Sequence, residues 1–341
     1  MKIRKNITIN ITITFIILVM FLSSSCSGLS RGDDRVSEQL LIHKGTQGLA
    51  MIFSQSAPPD KLYAAEEGTN VSFPVVIDMA NQGAYDIEGG YIAFSLEKNY
   101  LRLNRWDLED NAFQLGARGE RVLFNLEGRK ATQPLGESAA ATVFINSLPL
   151  DDMTEQHTTT IIATACYNYR THASAEICID TDPYNLKAIE KPCEAKEIKL
   201  GGGQGAPIEV TKIEQVSLMS DDGSIRPQFL IHVRNAGKGV PVKSGKADEA
   251  CSSEPLSKDD LNILDISEIS FSKYSLKDGE IECNPSFIKL KNNQGYFKCT
   301  LDQGIMTKDM PSFSTALYIQ LDYVYSESIS KTILLERILS H

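Results

Sequence analysis

The chain has 341 residues, of which 42% are hydrophobic and 23% charged, the composition of an ordinary globular protein and not of a disordered one. That length exceeds what a single core usually organises, so two domains are expected. With 34 Lys+Arg against 44 Asp+Glu the net charge is −10, which argues against nucleic acid or anionic lipid as the main partner, since both need basic patches.

The N-terminus is basic, Met1-Lys2-Ile3-Arg4-Lys5, and runs into an apolar stretch from Ile7 to Leu22. At 1.5 Å per residue that stretch reaches about 24 Å, short of the roughly 30 Å hydrocarbon core. Its densest part, Phe15 to Leu22, has the length of a signal-peptide core. Ser23-Ser24-Ser25 then lead to Cys26-Ser27-Gly28, with Leu22 four places before the cysteine. This resembles a lipoprotein signal, which implies Cys26 as the site of lipid attachment. Residues 1–26 are read as a signal peptide, a lipoprotein signal or a membrane anchor. Each of the three places the rest of the chain outside the cytoplasm, at the cell surface or in the envelope, and makes this segment the contact with the membrane.

Residues 27–48, rich in Ser, Gly and charge at first, read as a spacer. From Leu49 the pattern is that of strands. Val71, Phe73, Val75, Ile77 and Met79 alternate with more polar neighbours, a period of two that marks a half-buried antiparallel strand. It closes on Asn81-Gln82-Gly83, which is turn chemistry. Asn70-Val71-Ser72 at its start fits a glycosylation sequon, making Asn70 a candidate acceptor. Ala163, Ala165, Tyr167 and Tyr169 alternate likewise, as do Ala175, Ile177 and Ile179, with a turn expected around His172. A charged stretch with Pro192, ending in Gly201-Gly202-Gly203-Gln204-Gly205, reads as a hinge and lacks the Gly-Lys-Ser/Thr of a phosphate loop. Phe229, Ile231, Val233, Asn235 and Gly237 then repeat the pattern of Val75, Ile77, Met79, Asn81 and Gly83. Leu317, Ile319, Leu321, Tyr323 and Tyr325 line one strand face, Ser326 to Ser330 is expected to turn, and Lys331 to Ile338 to return as a last strand. The expected organisation is a sandwich domain over 49–183, a linker over 184–205 and a second sandwich over 206–338.

Beyond Cys26 six cysteines remain: Cys166, Cys178, Cys193, Cys251, Cys283 and Cys299. The even count and the absence of Cys-x-x-Cys favour disulfides in an oxidising compartment over a zinc or redox site. A turn at His172 would set Cys166 opposite Cys178. Cys193 with Cys251 and Cys283 with Cys299 complete the expected set, one of fifteen connectivities the count allows.

The repeated strand, preceded in its first copy by Glu67-Gly68-Thr69 and closed by Asn-x-Gly, resembles the CARDB-like domains of exported prokaryotic proteins. More loosely, Ala57-Pro58-Pro59, Cys166-Tyr167-Asn168-Tyr169, Cys178-Ile179-Asp180 and Gly202-Gly203-Gln204-Gly205-Ala206-Pro207 resemble exported two-domain proteins of small-genome archaea. The resemblance implies two tandem immunoglobulin-like antiparallel β-sandwiches, an all-β fold, and a role in binding at the cell surface.

No His-x-x-x-His, His-Glu-x-x-His or Gly-x-Ser-x-Gly arrangement occurs, so neither a metal protease nor a serine hydrolase is indicated, and no cofactor is expected. His232 falls on the polar side of its strand. Asp151-Asp152 and Asp180-Thr181-Asp182 supply too few oxygens between them for calcium, which takes six to eight. The reading is a non-enzymatic cell-surface protein that contacts a protein or glycan partner. The alternatives are a subunit of a larger surface assembly, or a hydrolase or accessory module acting on envelope polymers.

Overall fold

The computed structural model describes residues 42–337 except 67, 68, 70, 117–119, 189 and 253. The N-terminal segment with Cys26, most of the spacer and the sequon residue Asn70 lie outside the described residues. In chain order the first half contributes β1 (Leu49–Phe53), β2 (Lys61–Tyr63), β3 (Val71–Asn81), β4 (Ile87–Ser95), β5 (Leu101–Asp107), β6 (Phe113–Leu115), β7 (Arg121–Leu126), β8 (Ser138–Ser147) and β9 (Gln156–Ile179). The second contributes β10 (Ile198–Lys199), β11 (Ile208–Met219), β12 (Ser224–Asn235), β13 (Val240–Val242), one helical turn α1 (Ala247–Ala250), β14 (Ile263–Phe271), β15 (Tyr274–Ser275), β16 (Ile281–Asn284), β17 (Phe287–Lys289), β18 (Gln294–Leu301), β19 (Met306–Thr307) and β20 (Phe313–Glu336).

These strands form three sheets. One has the order β1-β3-β8-β5, a second β10-β11-β12-β18-β16, and the third β15-β14-β20-β9-β4-β7-β6 with β2 and β13 also on β20. Every pairing is antiparallel except β2 with β20. The first sheet packs Phe73, Val75, Val143 and Ile145 onto Ile161, Ile333 and Leu335 of the third. The second packs Phe229, Ile231, Val233 and Phe297 onto Ile269, Phe271, Leu317 and Ile319, with the Phe229 and Phe271 rings edge to face at 5.4 Å. The fold is therefore all-β, two antiparallel sandwiches in tandem. The repeat is structural too, since β3 lies between β1 and β8 as β12 lies between β11 and β18.

The two sandwiches share their third sheet. β9 and β20 are each 24 residues long and pair along their whole length, from Phe313↔Ile179 to Glu336↔Gln156. The turns expected at His172 and at Ser326 to Ser330 are absent: His172 pairs with Gln320, and Ser328 with Thr164, in mid-strand. Neither segment contains Gly, Pro, Asn or Asp, and the apolar alternation passes straight through each, so nothing releases the chain from the strand.

This continuity also re-pairs the cysteines. Twelve residues of one strand hold Cys166 and Cys178 about 40 Å apart, so they cannot bridge. Cys166 instead joins Cys251 beside α1, and Cys178 joins Cys193, while Cys283–Cys299 pairs as expected across β16 and β18. The Cys193–Cys251 bridge is thus replaced as the link between halves by Cys166–Cys251. The glycine run is no hinge. Gly45 N–H donates to the Gly202 carbonyl, Gly205 N–H to Gly45 and Ala84 N–H to Gly205, and the Gln204 side chain exchanges two hydrogen bonds with the Val210 backbone.

At the middle of the shared sheet Tyr167, Tyr169, Tyr323 and Tyr325 form a buried cluster, Tyr169 opposite Tyr323 and Tyr167 opposite Tyr325. Burial raises the pKa of all four hydroxyls above the ordinary value, so each stays protonated and needs partners. The Asn-x-Gly turns supply them. Tyr169 Oη donates to Asn81 Oδ1 at 3.4 Å and Tyr325 Oη to Asn235 Oδ1 at 3.0 Å. In turn, Asn81 Nδ2 donates to the Tyr85 carbonyl and Asn235 Nδ2 to that of Gly239, both at 2.8 Å. Glycine is required because a Cβ would lie 1.8 Å from Tyr169 Oη at Gly83 and 2.3 Å from Tyr325 Oη at Gly237. The repeated Asn and Gly thus anchor both turns to the shared sheet, the first through Tyr169 on β9 and the second through Tyr325 on β20.

Candidate functional site

The second lobe carries a groove of about 730 Å3 on the outer face of its own sheet. Its floor comes from three adjacent strands. Thr211 lies on β11, His232 and Arg234 on β12, and Gln294 and Tyr296 opposite them on β18, with His232↔Tyr296 and Arg234↔Gln294 in register. Its wall is β17 and the turn after it. Phe287, Lys289 and Lys291 face outward while Ile288 and Leu290 are buried between them. Extended chain sets successive outward residues roughly 7 Å apart.

β17 can lie this close because β18 has glycine at the contact. A Cβ on Gly295 would sit 2.7 Å from Ile288 Cγ2 and 2.9 Å from Leu290 Cδ2. On its other edge β17 is fixed by pairing with β14, Leu264↔Ile288. The wall is therefore positioned by packing on one side and a ladder on the other.

Two large rings stand open to water here, Tyr296 at 64% exposure and Phe287 at 47%. Among the described residues no carboxylate lines the groove. Arg234 Nε donates to Glu209 Oε1 at 2.7 Å, and this glutamate is only 4% exposed, so the guanidinium is anchored from below. His232 Nε2 lies 2.9 Å from Glu214, whose pKa is held below the ordinary value by Lys212 first and His232 second. Lys289 Nζ donates to the Lys258 carbonyl at 2.9 Å. Among the described residues neither Lys289 nor Lys291 has a carboxylate within ion-pair distance, and their charge faces solvent.

The other residues singled out in the sequence fall elsewhere. Asp151 accepts a hydrogen bond from Tyr100 Oη at 2.5 Å, before β9 begins. Asp180 accepts from Lys191 Nζ at 2.8 Å, and Asp182 from the Leu186 and Lys187 N–H groups at 2.8 and 2.9 Å, just after β9 ends. A 24-residue strand holds the two acidic pairs on the order of 70 Å apart, so they cannot share an ion. Among the described residues no group of three or more metal-ligating side chains occurs. His157 meets Glu97 at 2.9 Å, and His172 packs under the Tyr85 ring with its pKa lowered by burial. Of the described histidines, His232 alone lines the groove. The remaining lining residues were missed in the sequence because they come from four separate segments. Their one visible signal was Phe287, Lys289 and Lys291 alternating with Ile288 and Leu290.

No family model matches the chain, and no curated protein does. Solved structures give only distant likenesses. A cohesin–dockerin complex from Clostridium thermocellum aligns at 9% identity with a TM-score of 0.23, covering 36% of this chain and 83% of that one. The CupB6 tip adhesin from Pseudomonas aeruginosa aligns at 9% identity and TM-score 0.18, covering 86% and 98%. The collagen-binding domain of the Erysipelothrix rhusiopathiae surface protein RspB aligns at 8% identity and TM-score 0.15, covering 87% and 98%. TM-scores this low carry no fold of their own, and the fold is defined by the strand order given above.

Proposed function

We propose that this is an exported, non-enzymatic surface-binding protein whose second lobe holds a partner in the groove between β17 and the β11-β12-β18 face. The observation that carries this is the groove's lining: two exposed rings and two lysines that, among the described residues, meet no carboxylate, on a chain of net charge −10. Exposed aromatic side chains beside convergent polar groups are how binding sites are built. Three disulfides support an oxidising location. The N-terminal lipoprotein-like signal and the CARDB-like repeat support attachment at the cell surface. Retention on native envelope fractions of the full chain carrying Cys26→Ala, which cannot be lipidated, and added from solution tests the reading. Tyr296→Ala is expected to cut retention by about tenfold; undiminished retention would contradict the groove.

A second reading is a subunit of a larger assembly, and one observation favours it. Residues 327–333 of β20 pair with β9 on one edge and, among the described residues, with no strand on the other, between β13 at Val324 to Ser326 and β2 at Leu334 to Glu336. Such an edge accepts a strand from a neighbour. Sedimentation of the full chain separates the readings: concentration-dependent growth abolished by Ser330→Pro supports assembly, and a monomer throughout contradicts it.

A further inference from the structure

We infer that the groove's ligand is an acidic polysaccharide, one whose sugar rings bear carboxylates; this rests on the groove being the binding site. The argument is an inventory of what the groove can offer. Its floor is the face of a sheet whose backbone groups are already paired across β11, β12 and β18, so recognition falls to side chains. Those side chains are mostly donors. Lys289, Lys291 and Arg234 only donate, and the acceptors are few and neutral: the oxygens of Gln294, Thr211 and Tyr296 and a ring nitrogen of His232.

A ligand that fits must therefore bring acceptors and negative charge, and must have apolar faces for two open rings. A uronate-type sugar has all of these. Its axial C–H groups are positively polarised and suit the negative face of Tyr296 or Phe287. Its carboxylate suits an ammonium, and its hydroxyls accept as well as donate. An acidic peptide brings the same charge, but it presents no ring face of C–H groups to Tyr296 and Phe287, and its backbone N–H groups would compete for the few neutral acceptors of the lining. The outward stripe of Phe287, Lys289 and Lys291, repeating roughly every 7 Å along the wall, suits a polymer with charge at regular intervals. The two lysines have no competing carboxylate at ion-pair distance among the described residues, and the Lys289 ammonium has two further N–H donors beside the one given to the Lys258 carbonyl.

The test uses the full chain with three carboxylated polysaccharides (polygalacturonate, alginate and hyaluronate), fully methyl-esterified polygalacturonate and polyglutamate, read by isothermal titration. At least one acidic polysaccharide is expected to bind, weakening as salt rises. Binding should fall by about tenfold in the Lys289→Gln/Lys291→Gln double variant, and also in Tyr296→Ala, with far-ultraviolet dichroism unchanged. Equal affinity for the methyl ester would overturn the acidic ligand while leaving the groove in place. Preference for polyglutamate would overturn the sugar. Binding that survives both substitutions would overturn the groove as its site. If none of the polysaccharides binds, the inference fails, whereas the groove itself still stands or falls on envelope retention by Tyr296→Ala.

Discussion

In the second-lobe half of the long ladder, Tyr323 Oη lies 3.0 Å from Thr171 Oγ1, and Thr171 Oγ1–H donates to the Ile208 carbonyl at 2.8 Å. In the first-lobe half, Tyr167 Oη accepts from Leu49 N–H and donates to Glu327 at 3.1 Å. The surroundings repeat: Leu49 opens β1 opposite Asn81, as Ile208 opens β11 opposite Asn235. Thr171 is a neutral group with both its needs met. Glu327, in the corresponding place, is a largely buried carboxyl whose pKa is pushed up to about 7, by desolvation first, with the Tyr167 hydrogen bond and Lys238 pulling the other way. One repeat closes its junction with a neutral hydroxyl, the other with an acid. The same backbone thus gives a junction with a built-in pH dependence on one side only.

The largest way to break this symmetry is to cut the covalent link beside it. Cys166→Ala with Cys251→Ala opens a bridge spanning 85 residues, whereas Cys283→Ala with Cys299→Ala opens one spanning 16. Loop entropy makes these worth about 4–5 and about 3 kcal/mol. Denaturant titration should place the first variant clearly below the second.

Next comes Glu327 itself. The folded state holds its proton more tightly than the unfolded chain, so its contribution is fully present below about pH 4.5 and lost as pH rises through about 7. The loss is on the order of 3 kcal/mol. Glu327→Thr, which copies Thr171, is expected to be near neutral at pH 4 and stabilising at pH 8. Melting curves at the two pH values check it; equal shifts would show that Glu327 is not held protonated.

Smaller again is the difference between the two turn glycines. Gly83→Ala meets Tyr169 Oη, the Gln47 carbonyl at 2.8 Å and the Gly205 carbonyl at 2.9 Å, whereas Gly237→Ala meets mainly the Tyr325 side chain and Pro207. Backbone cannot swing aside as a ring can, so Gly83→Ala should cost about 2–3 kcal/mol and Gly237→Ala about 1–2. The smallest effect belongs to the groove. Tyr296→Ala removes an exposed ring, and its denaturation midpoint should stay within about 0.5 kcal/mol of the parent.

Much of this build was legible in the chain. The β3 and β12 alternation, the repeated Asn-x-Gly and the all-β character followed from local patterns that the structure keeps. The errors share one cause. Arg170 to Ser174 and Ser326 to Ser330 look like turns because they are polar, yet Arg170, Ser174, Ser328 and Ser330 fall on the outward face of an unbroken strand while Thr171 and Glu327 point inward to tyrosine partners. Reading them as turns made two hairpins of two long strands and set Cys166 against Cys178. Polarity alone does not end a strand; Asn81 and Gly83 do, the Asn81 side chain by binding the Tyr85 and Leu126 carbonyls and Gly83 by fitting the turn against Tyr169. The groove was illegible for another reason. Its rings and lysines meet only once β17 has folded onto Gly295, and no local pattern records that approach.

The central claim is that β9 and β20 make the two sandwiches one cooperative structure. Native-state hydrogen exchange on the full chain, at increasing sub-denaturing urea, tests it most directly. The account predicts that amides of β3 and β8, of β12 and β18, and of the paired β9 and β20 converge on one opening free energy. Two separate isotherms, one for β3 and β8 and another for β12 and β18, would contradict it and make the shared sheet a contact between independent domains.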